Sequence, residues 1–340
     1  MKKYQDKLPV ILAIVLYILI YLIRLQQAEP AGRQGGWEMN LDLFPKWRAG
    51  LDERISHLLP SPQAQLLSGI LLGLKKDLPY DLKLAFRDTS TLHMIVVSGQ
   101  NLSILAALLL KLAGLLTRRV VILLTIMVMI GYVILTGGQI PVLRAALMAF
   151  LSLIASVFGR QSDGFWILII VAALLLLVNP LWILDLSFQL SFLATFGVVV
   201  VAPILINFFK FIPPILRENL AVTLAAQAMV MPVISQNFHQ FSLVGVPANL
   251  AVLWTIPYMM IGGIITLVLD SILPFLGQLM AWGLSIPLTY FIYMVKFFAS
   301  LPFAWEYVGE QIWIVWVGYY LLLAGVLIML SLKNDKKAVS

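Results

Sequence analysis

The sequence predicts an all-α, polytopic membrane protein: a transmembrane helical bundle of about ten spans, with interrupted or re-entrant helices and short amphipathic helices. Three observations predict it. Hydrophobic residues make up 61% of the 340 residues and charged residues only 11%, against roughly a quarter charged in ordinary soluble domains. Mean hydropathy is +0.97, more than one soluble core produces. Several apolar runs reach about 18 residues or more, the length that crosses a bilayer. A soluble enzyme is excluded.

The elements follow in chain order. Lys2, Lys3 and Lys7 precede an apolar run over 8–23, which reads as an uncleaved membrane anchor (1–25) with its N-terminus in the cytoplasm. Residues 26–62 are mixed and near neutral, a short loop expected outside the cytoplasm. Within it Leu43, Trp47, Leu51, Ile55 and Leu58 recur at helical spacing, so an amphipathic helix lies on the membrane or on the bundle. Ser61-Pro62 opens a second amphipathic stretch, with Leu66, Leu67, Ile70 and Leu71 before Gly73. Spans are then expected at about 90–116, 120–136, 142–158, 165–178, 183–207, 220–236, 243–269, 276–300 and 311–332, inside one domain over 63–332, with a cytoplasmic tail over 333–340.

Charge supports this order. With the N-terminus inside, Arg118-Arg119, Arg160, Lys210 with Arg217, and Lys333, Lys336 and Lys337 fall at inner ends. Gly137-Gly138-Gln139, Asn179-Pro180, His239-Gln240 and Glu306 with Glu310 fall at outer ends. That distribution obeys the positive-inside rule and places both termini in the cytoplasm. It also gives most of the net charge of +7 a topological explanation, with no need for a polyanionic ligand.

The chain has no cysteine, and His57, His93 and His239 form no ligand spacing, so thiolate, iron–sulfur and histidine-rich metal sites are excluded. No GxxxxGK[ST] occurs, so the chain has no P-loop motor of its own. We expect no cofactor and no enzyme activity.

Within membrane spans the polar residues carry the information, because a charge at the bilayer centre costs roughly 2.5–3.5 kcal/mol on insertion scales. His93, Ser98, Gly99, Gln100 and Asn101 fall within nine residues, behind Arg87. Ser98-Gly99 weakens the helix there, and a polar break is tolerated only where protein or water covers it. Helix packing through small residues is the structural alternative. Next comes Gly137-Gly138-Gln139-Ile140-Pro141, with Pro141 suited to a first helical turn and Arg144 one turn further on. Arg144 either snorkels to the interface or lines a path. Asp185 and Gln189 are one turn apart and share a face, with Ser191 following. Asp185 needs a partner or a proton, and Arg144 is the candidate. Pro232, His239, Pro247, Asn249 and Pro257 mark interrupted or re-entrant helices, in which Asn249 lines a path or caps a half-helix. On the predicted spans, His93, Gln139, Arg144, Asp185 and Asn249 share the outer third of the bundle, as a polar vestibule would.

In this order, His93-x4-Ser98-Gly99, Pro141-Val142-Leu143-Arg144-Ala145, Leu186-Ser187-Phe188-Gln189-Leu190-Ser191-Phe192, then Pro232, Phe241-Ser242, Asn249 and Pro257 resemble the competence domain of the ComEC family, the inner-membrane DNA-uptake channel of natural transformation. The resemblance covers about 61–324. It implies translocation of single-stranded DNA into the cytoplasm, with a DNA receptor protein on the outer side and a cytoplasmic DNA-translocating ATPase as partners. It implies channel-lining or structural roles for Arg87, His93, Ser98, Gly99, Gln100, Asn101, Gln139, Pro141, Arg144, Asp185, Gln189, Ser191 and Asn249. Two departures stand out: Gln100-Asn101 occupy the place where many members have a second histidine, and the chain is a short form without the OB-type and metallo-β-lactamase-like domains. A separate nuclease would then degrade the second strand, and a homodimer or a path between helices would widen the route. Two other readings compete: a proton-coupled secondary transporter of a small anionic solute, using Arg144 with Asp185 or His93, and an intramembrane enzyme using His93 and Asp185 as acid and base.

Overall fold

The structure, a computed structural model, describes residues 8–27, 44–74, 78–95, 97–111 and 117–339. In chain order its helices are α1 (Leu8–Gln27), α2 (Pro45–Leu58), α3 (Gln63–Leu72), α4 (Tyr80–Asp88), α5 (Leu92–Ile95), α6 (Gly99–Lys111), α7 (Arg118–Leu135), α8 (Ile140–Val157) and α9 (Gly164–Val178). They continue as α10 (Leu186–Phe196), α11 (Ala202–Phe208), α12 (Pro214–Phe238), α13 (Gly245–Val252), α14 (Thr255–Ile272), α15 (Pro274–Ala299) and α16 (Trp313–Val339). Two short strands, β1 (Gln240–Ser242) and β2 (Trp305–Tyr307), pair antiparallel with Phe241 opposite Glu306.

Among the described residues six helical stretches are long and apolar enough to cross a membrane: Ile140–Val157, Leu186–Phe208, Leu216–Phe238, Thr255–Ile272, Pro274–Ala299 and Trp313–Leu332. Val15–Gln27, Gln63–Leu72, Arg119–Leu135 and Gly164–Val178 are shorter apolar helices. This is a helical membrane protein. Local chemistry sets many of the boundaries. The Asp163 carboxylate accepts from Phe165 N and Trp166 N and so caps α9. Pro141 and Pro274 stand in first turns, where the missing N–H has no intrahelical partner to lose. Gly73, at φ 71°, ends α3 in the left-handed conformation. Between α10 and α11 the helix widens into a π segment over Gly197–Val201, just ahead of Pro203; proline cannot donate a backbone hydrogen bond, so the ladder loosens before it.

Two expected spans are divided. The stretch 90–116 is not one helix: one helix, α5, stops at Ile95, Val97 and Ser98 belong to no helix or strand, and α6 starts at Gly99. The stretch 243–269 begins as a loop and the short α13, turns at Leu253 and Trp254, and becomes α14. The break at Ser98-Gly99 and the interruption before α14 therefore stand where the sequence suggested.

The core lies around α3, whose residues from Leu66 to Leu72 are all buried. Lipid is as apolar as leucine, so this burial is driven by close packing and not by escape from water. The contacts are correspondingly tight. A β-carbon on Gly69 would sit 2.7 Å from the Ile95 carbonyl oxygen, and one on Gly263 would sit 2.7 Å from Leu71 Cδ1 and 2.9 Å from Leu67 Cδ1.

Helix α2 corrects the expected alternation of ends. Arg54 Nη1 donates to Ser271 Oγ at 2.8 Å and lies 3.7 Å from Asp270 Oδ2, at the α14–α15 turn. Arg48 Nη1 comes within 3.0 Å of the point where a β-carbon on Gly137 would be, at the α7–α8 turn. The predicted alternation put those turns at opposite membrane faces. Six residues of helix, about 9 Å, and two arginine side chains fall short of a hydrocarbon core roughly 30 Å thick. The two turns therefore lie at one end of the bundle.

Candidate functional site

The site is built where two broken helices meet. The last four carbonyls of a helix lack intrahelical partners, and α3 ends inside the protein. Three polar side chains from elsewhere supply donors. Asn101 Nδ2, from α6, donates to Ile70 O at 2.9 Å, and Tyr132 OH, from α7, reaches the same oxygen at 3.4 Å. Gln139 Nε2, just ahead of α8, donates to Gly73 O at 3.2 Å. Ser98 Oγ in turn donates to Asn101 Oδ1 at 3.3 Å. A buried helix end is thus satisfied by amides placed 31 and 66 residues away.

Arg144 stands beside this junction on α8. It is 9% exposed. Its Nη1 donates to the backbone oxygen of Ser191 on α10, and its guanidinium lies 6.0 Å from the centre of the Phe192 ring. A β-carbon on Gly99 would be 2.6 Å from Arg144 Nη2 and 3.0 Å from Ala145 Cβ. Glycine at position 99 is what lets the guanidinium reach the first turn of α6. Arg144 Nε and Ser191 Oγ are both buried without a partner. The other side of Phe192 faces a groove of about 460 Å³ lined also by Leu168, Ile183, Gln189 and Phe196.

The expected Arg144–Asp185 ion pair does not form. Asp185 instead caps α10, its Oδ1 accepting from Phe188 N at 2.9 Å. Gln189 donates to Ile183 O at 2.9 Å. These two residues shape the turn leading into α10, and the guanidinium has no acidic partner among the described residues.

A family model described as Competence protein matches residues 70–333, from Ile70 in the buried end of α3 to the last helix. The chain belongs to the Competence protein family. ComE operon protein 3 of Bacillus subtilis (strain 168) is 28% identical over 197 residues, covering 57% of this chain and 25% of the relative. The uncharacterized protein YcaI of Escherichia coli (strain K12) is 27% identical over 307 residues, covering 80% of this chain and 37% of the relative. The chain thus spans between a quarter and two fifths of the length of these curated relatives. No solved structure matches.

Every residue of the Arg144 junction lies within the Competence match. The structure joins Ser98, Gly99, Asn101, Gln139, Pro141, Arg144 and Ser191. It leaves the others elsewhere, so the vestibule predicted in the outer third is not one cluster. His93 Nδ1 bonds Ser90 O at 2.9 Å, in a local turn where Ser90 has φ 52°. Arg87 Nε pairs with its neighbour Asp88 at 3.2 Å, and Asp88 also accepts from Gln240 Nε2 at 3.4 Å. Gln100 is exposed. Asn249 is buried on α13 with its Oδ1 unpartnered, and so caps nothing. Sequence reasoning missed Tyr132 and the buried end of α3. A tyrosine in a leucine-rich span, a glycine inside a ten-residue helix (Gly69) and another just after it (Gly73) were the available signals.

Proposed function

We propose that this member of the Competence family carries single-stranded DNA across the cytoplasmic membrane into the cell during natural transformation. The reading is supported by family membership together with one feature of the site: a buried arginine, with no acidic partner among the described residues, beside a helix break. Fixed positive charge along a path shielded from lipid favours passage of a polyanion, and interrupted helix backbone is tolerated in a membrane only where protein or water covers it. A DNA receptor outside and a cytoplasmic ATPase complete the system, since the chain has no P-loop of its own. The transporter alternative gives proton handling to Asp185 or His93, and in the structure Asp185 caps α10 while His93 bonds Ser90 O.

The test follows labelled DNA into a transformable strain carrying wild type, a deletion, or Arg144→Ala with membrane expression confirmed. The proposal expects DNA at the cell surface in all three and in the cytoplasm only with wild type. Cytoplasmic DNA in the deletion strain at the wild-type level would reject it.

A further inference from the structure

We propose that the groove beside Phe192 is a binding site for one acyl chain of a bilayer phospholipid. The groove, of about 460 Å³, runs between α9, α10 and α12. The helices that line it fix its depth. Helix α9 ends at Val178 and α10 starts at Leu186, on either side of a 3₁₀ turn over Pro180–Leu184, so both ends lie at one membrane face. Ile183, in that turn, lines the groove at its shallow end. Leu168 on α9 and Phe196 on α10 line its deep end. Each stands ten residues from the turn (168 to 178, 186 to 196), or about 15 Å at 1.5 Å per residue. The third wall agrees. A β-carbon on Gly197 would meet Ala225 O, while Val233 lines the groove further toward the start of α10, so α12 runs antiparallel to α10 and covers the same half. A depth of about 15 Å is half of a hydrocarbon core roughly 30 Å thick. The groove therefore reaches from one face to the midplane, which is the run of a lipid chain in one leaflet.

The lining decides what fills it. Among the described residues its one polar side chain is Gln189, whose Nε2 already donates to Ile183 O at 2.9 Å. An ordered water needs roughly 2–4 polar partners, and the groove does not offer them. Left empty, its walls forfeit dispersion contacts. Its mouth opens sideways, with Ile169 42% and Ile183 46% exposed. The exposed surface continues onto Ile170, Leu174 and Leu184, beside the membrane-crossing stretches Leu186–Phe208 and Leu216–Phe238. The groove is thus continuous with the surface that meets lipid, and hydrocarbon is the medium at its depth. Helix α1 does not fill it, because Tyr17 and Tyr21 hydroxyls bond Ala173 O and Pro180 O, along the edge of α9. Three walls enclose a chain that a single helix face would only touch, so the seated lipid exchanges more slowly than its neighbours. Phe192 is one of those walls, and the Arg144 guanidinium lies 6.0 Å from the centre of its ring. The seated chain packs behind the ring on which Arg144 rests.

The experiment places the full chain in nanodiscs of phosphatidylethanolamine and phosphatidylglycerol, with a trace of phosphatidylcholine carrying a diazirine near the middle of one chain. Illumination attaches the lipid where it rests, and peptide mass spectrometry maps the adducts. Leu321 and Leu322, exposed on α16, report ordinary lipid contact. Wild type is expected to carry at least fivefold more adduct on residues 168–172, 189–196 and 233 than on α16, a comparison that needs no variant. Ala172→Trp fills the groove with an indole and should bring that excess down to the α16 level in protein that melts as wild type does. Val233→Phe fills it from the opposite wall and should do the same. Equal labelling of the groove and α16 in wild type overturns the proposal, and so does an excess that survives both substitutions. If Ile169→Cys gives disulfide-linked dimers and the groove carries no lipid adduct, the occupant is a second copy of the chain and the lipid assignment falls.

Discussion

Asn101→Ala removes the strongest donor to the buried end of α3. Asn101 is 1% exposed and donates to Ile70 O at 2.9 Å while accepting from Ser98 Oγ at 3.3 Å. After substitution, Ile70 O keeps only the 3.4 Å contact from Tyr132 OH, and Ser98 loses its acceptor. A buried hydrogen bond contributes about 0.5–1.5 kcal/mol net, and leaving a buried group unsatisfied costs about 1–3 kcal/mol. Interhelical side-chain bonds in membranes average only about 0.6 kcal/mol because the unfolded chain finds other partners. The expected loss is therefore about 1–3 kcal/mol, read from reversible unfolding in mixed micelles. Tyr132→Phe alone is expected to cost about 0.5 kcal/mol, since its contact is long. Because both side chains serve one carbonyl, the double variant should lose more than the sum, by at least about 0.5 kcal/mol. An Asn101→Ala effect near zero, strictly additive with Tyr132→Phe, would refute the claim that these residues satisfy the end of α3.

Other expectations follow from the same contacts. Gly197→Ala places a β-carbon 2.5 Å from Ala225 O and 2.9 Å from Ala225 C, backbone atoms that cannot step aside, and should cost about 1–3 kcal/mol in a thermal melt; Gly131→Ala, with nothing within 4 Å, should be neutral or gain about 0.5–1 kcal/mol. Asp185→Asn keeps the cap of α10 and should retain both stability and DNA uptake, while Asp185→Ala should lose about 1 kcal/mol; equal loss of uptake in both variants would show that the carboxylate charge is used. The hydrogen bond from Lys296 Nζ, at 2.9 Å, holds the Asp81 carboxyl below its ordinary value. A depressed folded value means that this contribution is present above about pH 4, the unfolded value, and is lost as pH falls through the folded one. Lys296→Met should flatten the melting temperature against pH in that acid window.

Much of the local architecture was legible because it depends on neighbours in sequence. Ser98-Gly99 announced a break and Pro141 a first turn, and each is found; Asp185 and Gln189, expected on one face, go to different partners, since Asp185 is the extended cap of α10 and Gln189 donates to Ile183 O. What the sequence concealed was pairing at long range. Arg144 looked for the one carboxylate in a comparable predicted position, yet Asp185 is claimed by the N–H of Phe188 three residues away, a bond that costs far less chain entropy to make. The guanidinium instead meets a backbone oxygen, and backbone acceptors leave no mark in the residue alphabet. Gln139 and Asn101 were recognised as polar residues in apolar surroundings, but their partners, Gly73 O and Ile70 O, exist only because α3 ends inside the protein. The charge pattern that supported alternating spans could not reveal that α2 touches both the Gly137 turn and the Asp270 turn.

The most direct test of the account asks which residues translocating DNA touches. The chain contains no cysteine, so single cysteines can be introduced without a background. Ser98→Cys and Ser191→Cys probe the two sides of Arg144, and Leu321→Cys, on the exposed surface of α16, probes away from it. Cells taking up single-stranded DNA whose backbone carries iodoacetamide groups, on which a thiolate displaces iodide to form a thioether, should form protein–DNA adducts at positions 98 and 191 and none at 321. Active uptake with no adduct at either of the first two positions would contradict the claim that DNA passes this junction.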